Sequence, residues 1–273
     1  MEKEIFDYVF VVLVYRNYQD LDELIVSISK TIVNYRILVV NSYYDEDSEK
    51  KVRFVADKYH CDFINVENRG YSYGNNHGIK YAADHYRFRY LVVSNPDIII
   101  GKFPQNCREL KGDIIAPEII AASGKHQNPM HIRENRVSEW LIYKGFKKQN
   151  NLLILAGIGM NKILREIFLR IRKPTEDSKI KIFAAHGSFV IFSSRAIRKL
   201  GTAPYDENIF LFAEESVLGI KAKREGLITT YMPCIRVNHK EDGSMKLGGI
   251  SVNKELARAN IYYYETYRMK KQR

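Results

Sequence analysis

The segment Tyr8 to Val14 (YVFVVLV) is an unbroken apolar run, rich in β-branched residues. A strand of that composition has no polar face to turn toward water, so it belongs in the middle of a parallel sheet with helices covering both sides. The following residues supply those helices. Asp20 is placed to cap a helix whose apolar positions Leu21, Leu24, Ile25 and Ile28 follow helical spacing, and Ile37 to Val40 gives a second buried strand. The alternation continues with a polar helix over 46–59, a strand over 62–65, a helix over 76–85 and a strand over 90–93. This order predicts an α/β fold with a parallel, doubly wound sheet. Ligands of such sheets bind beyond the carboxyl ends of the strands, which points to the loops after Val14, Val40, Asn65 and Val93.

Beyond residue 100 the pattern loosens. A strand is expected at Asp113 to Ala116, an apolar and basic helix at Leu152 to Arg172 interrupted by Gly157 and Gly159, and a strand at Phe183 to Phe192. A helix from Glu214 to Glu225 stops at Gly226, and Leu227 to Met232 returns to strand. The length of 273 residues suits one compact unit with a tail.

The chain carries 43 Lys and Arg against 32 Asp and Glu, a formal charge of +11, so its surface attracts polyanions. The excess lies in Lys144 to Lys181 and Arg258 to Arg273. Nucleic acid, anionic lipid and diphosphate substrates share that chemistry, but no nucleic-acid reader motif or aromatic-basic strand pattern is present, so nucleic acid is not an expected partner. Cys61, Cys107 and Cys234 are far apart and lack metal-ligand spacing, as suits a reducing compartment. The apolar run near Met1 is too short and wrongly flanked for a secretion signal, and no stretch approaches the roughly 20 apolar residues of a spanning helix. A cytoplasmic protein that lies on a membrane rather than crossing it is expected.

Two segments carry chemistry. Asn68-Arg69-Gly70-Tyr71-Ser72-Tyr73-Gly74-Asn75-Asn76-His77-Gly78 combines three glycines with three asparagines ahead of an amphipathic stretch. Glycines permit close ligand approach, while carboxamides and a helix N-terminus offer donors to phosphate or sugar oxygens. Ser94-Asn95-Pro96-Asp97 closes a strand with a stiff turn that projects Asp97 from the sheet edge. A carboxylate there suits Mg²⁺ or Mn²⁺, hard cations that bridge protein carboxylates to substrate phosphates.

Together with HGSFVIFSS, YDENIFLFAEES and VNH, these segments resemble the family 2 glycosyltransferases, particularly the rhamnosyltransferase-like members that build O-antigens and capsular polysaccharides; the likeness runs over about residues 8 to 245. It implies the GT-A fold, a Rossmann-like mixed, mainly parallel sheet flanked by helices, followed by a basic helical tail. The implied division is a nucleotide-sugar half over 1–100 and an acceptor half over 101–245; the Tyr and basic residues of the remaining tail, 246–273, suit a membrane interface and equally a dimer contact or a plain terminal helix.

The resemblance also implies roles. Asp97 binds the divalent metal on the donor diphosphate, Asn95 faces the donor, and His239, followed by Gly243 and Ser244, helps hold the metal or diphosphate. Tyr15, Asn41 and Ser42 flank the nucleotide base, where an acceptor on Asn41 or Ser42 would meet a uracil or thymine imide. Arg69, Gly70, Gly74, Asn75 and Asn76 belong to the donor-binding segment, and Gly187, after His186, lies toward the acceptor. The general base is Glu215, with Glu214 as its substitute. Several positions depart from the family pattern: Val14-Tyr15-Arg16 replaces Thr-Tyr-Asn, Asn41-Ser42 replaces Asp-Asn, Glu215 replaces Asp, and Lys221 replaces Arg. The expected activity is inverting transfer from a UDP- or dTDP-sugar to a hydroxyl of a growing, lipid-linked surface glycan, at the cytoplasmic face of the inner membrane beside anionic lipid. The alternative is a catalytically inactive sugar-nucleotide-binding or scaffold protein of a polysaccharide assembly complex.

Overall fold

The computed structural model describes residues 5–241 and 251–269. Its sheet has nine strands among those residues: β1 (Ile5–Val14), β2 (Tyr35–Tyr43), β3 (Asp62–Glu67), β4 (Arg87–Ser94), β5 (Ile98–Lys102), β6 (Ile114–Ala121), β7 (Ile180–Ile182), β8 (Phe189–Ser193) and β9 (Thr229–His239). The order is β3-β2-β1-β4-β8-β6-β9-β5, with β7 on β9. The first four are parallel, as the alternation predicts. The rest are mixed: β8 is antiparallel to β4 and β6, β6 is parallel to β9, and β5 and β7 are antiparallel to β9.

Strand β1 lies between β2 and β4 with Val9 to Val12 fully buried. Alternate residues reach opposite layers. Phe10, Val12 and Val14 meet α1 (Tyr18–Thr31) and α2 (Glu46–Lys58) through Leu21, Leu24, Ile25, Ile28, Val52 and Val55. Val9 and Val11 meet α3 (Tyr71–His85), α6 (Ser194–Leu200) and α7 (Glu214–Arg224) through Ile79, Ala82, Ala196 and Leu218. Each fully buried aliphatic side chain contributes about 1.5 to 3 kcal/mol, so the double cover of β1 anchors the fold.

Several sequence expectations are corrected. The cap of α1 is Asn17, whose side chain accepts from the Asp20 amide; Asp20 itself sits in the first turn. Helix α3 begins at Tyr71, five residues before the expected start, so Gly74 and Asn75 are helical rather than loop residues. A Cβ at Gly74 would fall 2.4 Å from Leu13 Cδ1, so that glycine lets α3 lie flat on β1. Residues 151–172 form one helix, α5 (Asn151–Arg172), unbroken by its glycines, and it packs against α4 (Arg136–Lys147), which the sequence reading did not anticipate. At Gly157 a Cβ would meet Ile142 Cγ1 at 2.6 Å, so the residue permits contact instead of ending the helix. Regular strand starts only at Phe189, because the Phe183 and Ala184 amides both donate to the His131 carbonyl and the chain then turns toward the cavity described below.

Helix α8 (Val252–Tyr264) ends in a π-helical turn over Glu265–Met269. It packs on the domain, with Ala259 and Tyr263 buried against Ile209, Val217 and Ile220. Gly243, Ser244 and the basic end 270–273 lie outside the described residues. Among the described residues no helix is long and apolar enough to cross a membrane.

Candidate functional site

A cavity of about 360 Å³ opens beyond the carboxyl ends of β1, β2 and β4. All four loops singled out from the sequence reach it: Tyr15 follows β1, Ser42 ends β2, Asn68, Gly70 and Tyr71 follow β3, and Asn95, Pro96 and Asp97 follow β4. The other side of the chain adds His186, Gly187, Ser188, Phe210, Leu211, Phe212, Glu214, Glu215, His239, Gln127 and Glu241.

Asp97 and His239 meet in this cavity. His239 ends β9 opposite Ile98, so the β5–β9 pairing brings its ring to the strand-end turn. Its Nε2 lies 3.3 Å from Asp97 Oδ2, both side chains being buried. His239 Nδ1 is 2.8 Å from Gln127 Oε1, and Gln127 Nε2 donates to Glu241 Oε1 at 2.9 Å. Among the described residues no group of three or more His, Cys, Asp or Glu side chains gathers as a metal cage. A pair such as Asp97 and His239 nevertheless fits Mg²⁺ or Mn²⁺ at a diphosphate, where phosphate oxygens and water complete the coordination.

His186 lies beside this pair, its ring centroid 5.9 Å from that of His239. Its Nδ1 accepts from the Ser188 amide at 3.2 Å, which places the proton of the neutral ring on Nε2. Burial, and then the neighbouring His239, push its pKa down to about 4, so His186 is a neutral donor at physiological pH.

The two acids open α7. Glu215 Oε1 accepts from the Gly187 amide at 3.3 Å, and the Gly187 carbonyl accepts from the Tyr71 hydroxyl at 2.6 Å. A Cβ on Gly187 would lie 3.2 Å from Glu215 Oε1, so glycine allows this close approach. Burial raises the pKa of Glu215, partly offset by backbone N–H groups that include Gly187. Burial raises Glu214 much further, the neighbouring Glu215 charge adds to it, and Glu214 Oε2 has no hydrogen-bond partner in the protein. Burial thus favours the neutral form of both acids, most strongly at Glu214, and Glu215 is the member whose charge the Gly187 amide supports.

The loop before these acids is held along its length. Lys221 Nζ donates to the Pro204 carbonyl, and Asn76 bonds both backbone groups of Tyr205 and the Glu207 carboxylate. Asp206 accepts from the Tyr262 and Tyr267 hydroxyls, and the Phe210 carbonyl accepts from the Tyr71 amide. Gly70, with φ +97°, makes the last contact possible, since a Cβ there would fall 2.3 Å from Phe210 O. The chain then passes through left-handed Phe212 and Ala213, at φ 73° and 64°, an arrangement that costs non-glycine residues energy and persists where the surroundings enforce it.

The structure thus brings Tyr15, Ser42, Gly70, Asn95, Asp97, Gly187, Glu214, Glu215 and His239 to one cavity and leaves Arg69, Asn41, Gly74, Asn75 and Asn76 off its wall. Arg69 stacks on Tyr73, and Asn75 bonds the Tyr71 carbonyl, while Asn76 is a loop clamp. Asn41 is buried beside Asn65 of β3. Glu49 accepts from Asn65 Nδ2, so Asn65 turns its oxygen to Asn41 Nδ2, and Asn41 Oδ1 is left as a buried acceptor without a protein partner. Sequence reading missed the roles of Tyr71 and Glu241. The apolar Phe210-Leu211-Phe212 just before two acids was a readable sign of a cavity wall.

Comparison with solved structures decides the fold. GalNAc-T7, solved with UDP, GalNAc and Mn²⁺, superposes with a TM-score of 0.56 at 12% identity, covering 86% of this chain and 44% of that one. The fold is that of the GT-A glycosyltransferases. Residues 1–349 of S. aureus TarS in complex with UDP give a TM-score of 0.53 at 11% identity, covering 97% of this chain and 74% of that one. In sequence, the chain is 27% identical over 168 residues to the low-salt glycan biosynthesis hexosyltransferase Agl10 of Haloferax volcanii, a match over 59% of this chain and 45% of that protein. The chain thus spans under half the length of Agl10 and of GalNAc-T7. No protein-family profile matches the sequence.

Proposed function

We propose that the protein is an inverting, metal-dependent glycosyltransferase that moves a sugar from a UDP- or dTDP-sugar to a hydroxyl of a growing, lipid-linked surface polysaccharide. The observation that carries this reading is the presence in one cavity of Asp97 with His239 and of Glu215 held by Gly187. The volume falls in the range of small-ligand sites. UDP in two solved relatives, Mn²⁺ in one of them and the hexosyltransferase name of Agl10 support the donor and cofactor classes.

In this reading Tyr15 and Ser42 flank the base, while Asn95 and Gly70 line the path to the diphosphate. Asp97 and His239 would hold a divalent cation, which would supply positive charge at the departing diphosphate. Glu215 takes the proton from the acceptor hydroxyl as that oxygen attacks the anomeric carbon, and the single displacement inverts configuration. Glu214 stays protonated, so the charge of the pair rests on Glu215. Arg69, Gly74, Asn75 and Asn76 act through the backbone and the loop.

The membrane contact falls to the α4–α5 hairpin. In α5 only Gly157 is buried, and Leu152, Leu155, Ile158, Ile163, Ile167 and Ile171 are exposed, Leu152 and Ile171 by 77% and 75%. Lys162, Arg165, Arg170, Arg172 and Lys173 accompany them against a single acid, Glu166. Apolar and basic side chains on one helix favour an anionic lipid surface at the cytoplasmic face and disfavour a second, equally basic copy. The test of the function is donor-sugar hydrolysis or transfer with Mn²⁺, lost in Asp97→Ala; no donor bound under any condition would refute it.

A further inference from the structure

His239 Nε2 faces the Asp97 carboxylate, and the group that sets which ring nitrogen of His239 carries a proton lies two residues away. Glu241 is a carboxylate without a proton to give, so it orients the Gln127 carboxamide with the NH₂ toward itself, at 2.9 Å. The Gln127 oxygen must then face His239, and the 2.8 Å contact is a hydrogen bond only if Nδ1 carries the proton. In the neutral ring this leaves the lone pair on Nε2, which is the atom 3.3 Å from Asp97 Oδ2. With that ring form the lone pair and the Asp97 carboxylate point at a shared position where a cation can sit, whereas a second proton on Nε2 would make the contact a charged hydrogen bond.

We infer that Glu241, acting through Gln127, is a positioning device that fixes the His239 tautomer and so prepares Asp97 and His239 as a cation seat. The inference deepens the metal-dependent reading above and rests on it. Histidines that bind metal commonly donate their second nitrogen to an oxygen that sets the ring, and loss of such partners lowers metal affinity 10- to 100-fold.

The local backbone serves the same arrangement. Residues 121–125 form a turn closed by the Ala121 amide on the Lys125 carbonyl, and the Gln127 amide returns to the Ile119 carbonyl, which brings Gln127 back along β6 to the His239 end of β9. Glu241 has φ 58°, a left-handed conformation that a glutamate adopts only under constraint, two residues after the histidine whose tautomer it sets. The Lys240 amide between them donates to the Asp97 carbonyl, tying the segment to the strand-end turn. Glu241 and Gln127 also line the cavity, so a direct contact with the donor is the competing explanation.

The experiment uses the full chain with ¹⁵N-labelled histidine, metal-free, at one pH above the imidazole range. Long-range ¹H–¹⁵N spectra distinguish Nδ1–H from Nε2–H rings, and His239→Gln identifies the signal. Mn²⁺ affinity is read separately by electron paramagnetic resonance in the presence of UDP. Wild type should show His239 protonated at Nδ1. Glu241→Gln, which frees the Gln127 amide to rotate, and Gln127→Leu, which removes it, should each populate the Nε2–H form and weaken Mn²⁺ by about 10- to 100-fold. Glu241→Asp should recover part of both.

If Asp97→Ala and His239→Ala lose Mn²⁺ while Glu241→Gln and Gln127→Leu keep the Nδ1–H ring and bind Mn²⁺ within twofold of wild type, the relay is refuted and the metal reading stands. Weaker UDP binding with an unchanged tautomer would likewise refute it in favour of direct donor contact. If Asp97→Ala and His239→Ala leave Mn²⁺ binding intact, the metal reading fails and the relay fails with it.

Discussion

The Asn76 carboxamide grips Tyr205 at both backbone groups, accepting from its N–H and donating to its carbonyl, each at 3.1 Å. The same Nδ2 reaches Glu207 Oε1 at 3.0 Å. One residue of the Asn-rich segment therefore fixes the start of the loop that ends at Glu214 and Glu215, across a sequence gap that no local pattern reports.

Replacing Asn76 by Ala leaves two buried backbone groups of Tyr205 without partners. The expected loss is roughly 2 to 4 kcal/mol of stability, measured by urea denaturation. Because the loop positions Glu215, kcat should fall more than donor affinity at temperatures where the variant is still folded. A variant with wild-type stability would remove the clamp from the account.

Glu215 and Glu214 should separate in kinetics. Glu215→Gln should bind donor normally and lose about 10²- to 10⁴-fold in kcat, the range of a general base. Glu214→Gln should keep most activity, since burial already favours the uncharged form of that side chain. Burial raises the Glu215 pKa, so kcat/KM should fall with decreasing pH at a point above the ordinary glutamate value of about 4.3. The reverse ranking of the two variants would transfer the base role to Glu214.

Burial of Glu214 also predicts a pH-dependent stability. Its folded pKa is raised, so the stabilisation it offers is complete below the unfolded glutamate pKa and is lost as pH rises toward the folded value. Glu214→Gln cannot titrate, so its melting temperature relative to wild type should increase from pH 5 to pH 8. A constant difference between the two proteins would show that Glu214 is ionised in the fold.

How much of this was legible in the sequence depends on the range of the interactions. Strand β1 and its helices were readable because burial on both faces leaves a local composition, YVFVVLV, and Asp97 because a proline turn at a strand end is local too. The first turn of α3, over Tyr71 to Asn75, was misplaced into a loop because the helix starts at Tyr71 for a tertiary reason: Gly70 lets the Tyr71 amide reach Phe210, and Gly74 lets the helix lie on Leu13. Gln127 and Glu241 are 114 residues apart, and only the parallel pairing of β6 with β9 brings them together.

Gly187 should tolerate no side chain in catalysis. A methyl group at 3.2 Å from Glu215 Oε1 pushes the carboxylate by a few tenths of an ångström, so Gly187→Ala should lower kcat at least tenfold with little change in donor affinity. Equal kcat in variant and wild type would mean that Glu215 acts from another position.

The α5 surface should bind vesicles containing phosphatidylglycerol and ignore phosphatidylcholine, with release at high salt. Ile163→Ser, Ile167→Ser and Ile171→Ser combined should weaken sedimentation with the vesicles while leaving donor hydrolysis unchanged. Binding that is blind to lipid charge, or a dimer that the triple variant dissolves, would assign this face to another partner.

A metal-assisted sugar-nucleotide site with Glu215 as base is put to the test by Mn²⁺-dependent binding and slow hydrolysis across UDP-, dTDP- and GDP-sugars, in wild type, Asp97→Ala and Glu215→Gln. One UDP- or dTDP-sugar should be selected, its binding abolished by Asp97→Ala and retained without turnover by Glu215→Gln. No binding to any donor, or binding indifferent to Asp97, would contradict it and favour a scaffold protein that keeps the fold without the chemistry.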